Sequence, residues 1–278
     1  MITVLLTYLV CGTLVGLLSG LFGIGGGIIG IPVVLQCLSK QGVSQSSSMH
    51  MAIGTMLAVA AVTTLTAVRS HHKSKMILVP LFKKIAPYLV TGSFIGTMIS
   101  SQLNSIYLQR MFAIFLLFAA WRMVVRTRTR AGKEVAAIQD GGMDHDRNSD
   151  DDREKVAPVT TFAIGILSGL LGLGGGVLLV PYLHWRGIPM KSAIATATAC
   201  ILPAAMVGAV SSMMMSINAD HSITFSTGYI YWPAFLGISM MSMLFAPIGA
   251  RLTHKAAAPV LKTAFSILLI AVAFHLAK

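Results

Sequence analysis

The segment from Gly16 to Pro32, GLLSGLFGIGGGIIGIP, returns as Gly165 to Pro181, GILSGLLGLGGGVLLVP, with six of its seven glycines, its serine and its closing proline at a constant offset of 149 residues. A chain that repeats itself at such a distance encodes two related structural units. In membrane proteins, paired units of this kind frame a translocation path. The setting is apolar: of 278 residues, 55% are hydrophobic and 11% charged, against about 25% charged in an ordinary soluble domain. Transport across a membrane is therefore the leading function class.

Long apolar stretches cover residues 2–38, 51–68, 85–103, 106–125, 159–182, 193–217, 229–250 and 260–276. Several reach the roughly 20 residues that a helix needs to cross a bilayer. Short alternating strands are lacking, which argues against an outer-membrane barrel. The first stretch has no basic n-region and runs straight into the glycine motif, so a cleaved secretion signal is not expected. The expected fold class is an all-α polytopic membrane protein.

Charge divides the chain. Eight of its nine acidic residues lie between Glu134 and Glu154, which marks residues 131–156 as a hydrophilic linker between membrane repeats at 1–130 and 157–278. The net charge of +12 does not indicate nucleic acid, because the basic residues flank apolar segments and no nucleic-acid motif accompanies them. The positive-inside rule accounts for them: Arg69, Lys73, Lys75, Lys83 and Lys84 assign one connection to the cytoplasm, and Arg126, Arg128, Arg130 and Lys133 assign the linker to the same side. Eight simple transmembrane helices would put Arg186, Lys191, Arg251 and Lys255 outside and Asp220 inside. If segments 2–38 and 159–182 instead enter and return as glycine-broken hairpins, all five fall on the expected side. The expected architecture is therefore an inverted repeat with two re-entrant hairpins and about six full spans, and eight simple transmembrane helices are the alternative.

The glycines supply the break. Gly23, Gly25, Gly26 and Gly27, with Gly172, Gly174, Gly175 and Gly176, tolerate backbone conformations and close approaches that other residues resist. Pro32 and Pro181 remove backbone donors nearby. Irregular backbone is tolerated at membrane depth only where protein encloses it or it lines a cavity, so the two motifs are expected to meet inside the protein, with Gly23, Pro32, Gly172 and Pro181 as hinges. Helix starts near Gly27 and Gly176 suit an anion, since amide donors and the helix dipole favour negative charge there. Close helix packing is the plainer use of such glycines.

Thr55, Thr196 and Thr198 are candidate hydroxyl ligands, although a threonine commonly bonds its own helix backbone instead. No Asp or Glu falls within a proposed span, so a carboxylate relay is missing. His50, just before the second span, is the candidate for proton coupling, against a plain role as a boundary histidine. Arg122 is read as snorkelling to the interface. Cys11, Cys37 and Cys200 lack metal-ligand spacing and read as packed thiols. No nucleophile with an orienting base stands out, so no enzyme, cofactor or metal site is expected.

The duplicated motif, the AIGT and AIAT starts of the spans that follow (Ala52–Thr55 and Ala193–Thr196), and the polar middle between two four-element halves resemble the TauE/SafE family of sulfite and organosulfonate exporters. The likeness covers nearly the whole chain. It implies a multi-pass protein of the bacterial cytoplasmic membrane that exports a small sulfur-containing anion by alternating access. Membrane lipids, protons as coupling ions and a homodimer complete the candidate partners. It also implies binding positions at Gly25, Gly26, Gly27 and Thr55 and at Gly174, Gly175, Gly176 and Thr196. Ala195 stands where the first half has Gly54, so the halves are not expected to act equally. An anion or neutral-solute channel and a membrane scaffold are the competing classes.

Overall fold

The computed structural model describes residues 2–117, 157–215 and 225–255. The linker, Arg122, Asp220 and the last apolar stretch lie outside the described residues. The first part contains α1 (Ile2–Phe22), α2 (Gly27–Lys40), α3 (Gln45–Lys73) and α4 (Val79–Gln102), followed by α5 (Ser105–Leu117). The second contains α6 (Pro158–Leu171), α7 (Gly176–Trp185), α8 (Met190–Met214), the short strands β1 (Ser226–Thr227) and β2 (Ile230–Tyr231), and α9 (Trp232–Lys255). Helices run past the apolar stretches into polar flanks, as at His71, His72 and Lys73 of α3, because the amide ladder continues where hydropathy ends. The strand pair, Ser226 opposite Tyr231 and Thr227 opposite Ile230, is too short to show in an alternation pattern.

Among the described residues four helices, α1, α3, α8 and α9, are long and apolar enough to cross a membrane. Their outer faces remain apolar: Leu5, Val10, Met206, Val210, Leu236 and Met240 are all exposed. Such a belt suits lipid, and the chain is an all-α, multi-pass membrane protein.

Small residues decide which helices meet. A side chain added at Gly16 of α1 would begin 2.6 Å from the Ser242 carbonyl oxygen of α9, and one at Gly20 would fall on the Ala246 carbonyl. In the second glycine segment, a side chain at Gly165 of α6 would begin 2.6 Å from the Leu89 carbonyl of α4, and one at Gly169 would fall on that of Ser93. Each glycine-bearing helix thus lies backbone to backbone on a long helix from the other part of the chain. Hydroxyl bonds join the packing: Thr63 and Ser242 are 2.7 Å apart, and Ser93 donates to the Ala204 carbonyl at 3.1 Å. Between the glycine segments, α3 and α8 cross at a small apolar cluster of Ala60, Ile201 and Ala205.

Candidate functional site at the crossing of two glycine loops

Both glycine stretches form tight loops between two helices, and residues 23–28 and 172–177 are all buried. Gly26 and Gly175 are the N-caps of α2 and α7, with φ of 81° and 89°, a left-handed conformation in which a side chain costs about 1–2 kcal/mol. Gly23, Gly25, Gly172 and Gly174 share the same region of backbone space. In the second segment the Ala157 amide donates to the Tyr182 hydroxyl at 3.1 Å, holding the start of α6 beside the end of α7. This pair of helices therefore turns back on itself.

The loops meet. A side chain on Gly27 would fall on the Gly172 carbonyl, and one on Gly176 would fall on the Gly23 carbonyl. Between these two contacts, a side chain on Gly25 would begin 3.7 Å from the Gly174 Cα, and both glycines face the Ala60 methyl. The contacts are reciprocal, with the two loops antiparallel and Gly25 and Gly174 at the centre. Pro32 and Pro181 each occupy the interior of the following helix, at the same position after its start, so any bending they permit lies beyond the loop.

The three threonines differ in their surroundings. Thr55 and Thr196 are fully buried, and their hydroxyl oxygens accept amides across the molecule: Tyr231 N–H to Thr55 at 3.0 Å and Leu78 N–H to Thr196 at 3.1 Å. Those amides stand at the starts of α9 and α4, where helix donors lack partners within their own helix. Thr198 donates to the Ile194 carbonyl at 2.7 Å, and its oxygen is 2.7 Å from where a Gly23 side chain would begin. Thr198 alone of the three lies directly against a glycine loop. Replacing Thr55 or Thr196 with valine keeps the shape and removes the acceptor, which should cost about 1–3 kcal/mol for a buried amide left alone. Thermal unfolding of the purified variants checks this. A raised KM with unchanged unfolding temperature would instead mark a ligand-binding hydroxyl.

His50 lies away from the crossing. Its Nε2 is 3.1 Å from the Ser100 carbonyl and 2.9 Å from that of Leu103, while Nδ1 is 3.2 Å from the Ser46 carbonyl. Nε2 therefore carries a proton and ties α3 to the end of α4. The ring stacks on Tyr229 at 5.2 Å, whose phenol is pushed above its usual pKa by burial and stays neutral. A small recess, with space of about 10 Å³, opens beside them and is lined also by Thr97, Ser101 and Ser212. Among the described residues no group of His, Cys, Asp and Glu side chains could hold a metal ion, and Cys11, Cys37 and Cys200 are buried free thiols.

Ser19 and Ser168 were not among the candidate residues read from the sequence, though the repeat itself pairs them. Both are fully or almost fully buried beside the loops. The matched offset was the available signal, because serine in a helix carries no other mark of function.

Helices long enough to cross a bilayer, an apolar outer face and buried irregular backbone at the centre define a membrane transporter. The sulfite exporter TauE/SafE family matches residues 8–276, and the chain belongs to that family; it is accordingly a transporter and not an enzyme. It is 30% identical to a probable membrane transporter protein of Haemophilus influenzae over 99% of both chains. It is 26% identical to a probable membrane transporter protein of Methanocaldococcus jannaschii over 89% of this chain and 85% of that one. The probable membrane transporter protein YunE of Bacillus subtilis is also 26% identical, over 88% and 87%. No solved structure matches the chain.

Proposed function

We propose that the protein is a secondary transporter that exports a small sulfur-containing anion, sulfite or an organosulfonate, across a bacterial cytoplasmic membrane by alternating access. The observation that carries this reading is the reciprocal crossing of the glycine loops, Gly23 with Gly176 and Gly27 with Gly172. Each loop brings the start of a short helix into the buried centre. Two such starts concentrate amide donors and positive dipole ends in one place, which favours an anion. Gly25, Gly26, Gly27, Gly174, Gly175 and Gly176, with Thr198 beside them, form the binding positions. Thr55 and Thr196 hold the helices that frame the site.

The closed crossing has no room for an ion, so the loops must part to admit one. Gly23, Gly172, Pro32 and Pro181 are the hinges, and parting on alternate sides gives alternating access. The Ala157–Tyr182 bond supports re-entrant hairpins, and the basic residues at Lys83, Lys84, Arg186 and Arg251 support opposite orientation of two repeats. With α1 an arm of the first hairpin, α3, α4, α8 and α9 together with the apolar stretches at 106–125 and 260–276 make about six full spans. A negative charge leaving a cell that is negative inside gains about 2.3 kcal/mol per 100 mV. His50 is the candidate coupling group for protons, because both of its ring nitrogens stand at hydrogen-bond distance from backbone carbonyls.

Uptake of labelled sulfite and a panel of sulfonates into inside-out proteoliposomes tests this reading. Saturable uptake that increases with an inside-positive vesicle potential is the expected outcome. Sustained anion current without saturation would replace the carrier with a channel, and no flux of any tested anion would remove the sulfur-anion reading.

A further inference from the structure

Ser19 and Ser168 occupy matching places, four residues before Gly23 and Gly172. Their backbone carbonyls close the helices that lead into the loops, Ser19 accepting from the Gly23 amide at 2.8 Å and Ser168 from the Leu173 amide at 3.1 Å. Their side chains are 0% and 2% exposed, yet neither hydroxyl has a hydrogen-bond partner among the described residues.

Few hydroxyls of this protein share that state. Most other buried helical hydroxyls return their proton to the carbonyl one turn earlier, as Thr63, Thr97, Thr198 and Ser212 do; Ser239 of α9 is also without a partner among the described residues, but it has no counterpart at a matching repeat position. A buried hydroxyl without a partner is costly, and two at one repeat position indicate an absent acceptor. Ser168 Oγ lies 3.2 Å from where a Gly175 side chain would begin, so it faces the N-cap of α7. No side chain caps the first turn of this 10-residue helix, and the 14-residue α2 begins in the same way at Gly26.

We propose that Ser168, with Ser19 in the matching place, is a side-chain donor of the anion site, each hydroxyl binding one oxygen of a small oxyanion held at the adjacent helix start. This rests on the anion reading above and extends it. The ligand is recognised by neutral donors, two hydroxyls and backbone amides.

The test is thermal unfolding of the purified full-length protein, in detergent, with increasing sulfite or ethanesulfonate, for the wild type, Ser19→Ala, Ser168→Ala and the double variant. Without anion, the alanine variants should unfold at the wild-type temperature or above it, because removing an unpartnered hydroxyl leaves nothing unsatisfied. Anion stabilisation should require about tenfold more anion in each single variant, as expected for loss of one hydrogen bond to a charged group. If an alanine variant does not accumulate, Ser168→Cys, close in size with a weak donor, should show the same loss of response.

An unchanged anion response in the double variant overturns the proposal. So does a lower unfolding temperature without anion, since it would show a hydroxyl already bonded in the fold. Absence of any anion response in the wild type defeats the anion reading itself, and the serine assignment with it. A wild type that responds alongside variants that respond equally removes only the serines.

Discussion

Alanine at Gly176 or at Gly27 is expected to abolish transport and to lower stability. The new Cβ would coincide with the Gly23 carbonyl oxygen in one case and the Gly172 carbonyl oxygen in the other. Neither obstacle is a side chain that can rotate away. Both belong to loops whose conformation is set by left-handed glycines, so relief requires the loops to separate. The cost should meet or exceed the upper end of the about 1–3 kcal/mol typical of overpacking a well-packed interior. Gly187→Ala is the control: its φ is positive, unlike those of Gly27 and Gly176, but nothing lies within 4 Å of the added carbon, so only the backbone penalty of about 1–2 kcal/mol applies. Unfolding temperature and proteoliposome flux measure both effects. Wild-type stability and flux in Gly176→Ala would mean that the loops do not touch.

Leucine at Gly20 and leucine at Gly169 should each prevent stable assembly, and to a similar extent. A side chain at Gly20 falls on the Ala246 carbonyl of α9, and one at Gly169 falls on the Ser93 carbonyl of α4. Apolar surface gives helices little reason to associate in lipid, and close backbone approach through small residues takes its place. Displacing α1 from α9 also breaks the bond that Thr253 donates to the Leu21 carbonyl at 2.8 Å. Detergent-solubilised variants are expected to aggregate on size-exclusion chromatography at temperatures where the wild type remains monodisperse. If Gly20→Leu were tolerated while Gly169→Leu was not, the two interfaces would not be equivalent.

Much of the architecture was legible in the residues. Apolar length announced the helices, and the repeated GIGGG and GLGGG announced two special breaks, because few other residues can hold the left-handed turns seen at Gly26 and Gly175. The meeting of the two motifs followed from the cost of exposing irregular backbone to lipid. The roles of Thr55 and Thr196 were not legible. Their sequence setting resembles that of any helical threonine, and only the arrival of Tyr231 and Leu78 from far along the chain gives each hydroxyl an amide to accept. His50 was readable as a titratable group, but its bonds to the Ser100 and Leu103 carbonyls, 50 and 53 residues away, were not.

The sequence by itself determined the solvent, the helices, the breaks and the duplication, since each depends on hydropathy, on backbone freedom or on self-similarity, all local properties. Only the tertiary structure decided that α1 packs on α9 and α6 on α4, that the loops cross antiparallel at Gly25 and Gly174, and that Ser19 and Ser168 are left with buried hydroxyls at that crossing. The physical reason is that a glycine marks where another backbone can approach, whereas which backbone arrives depends on the packing of every helix at once.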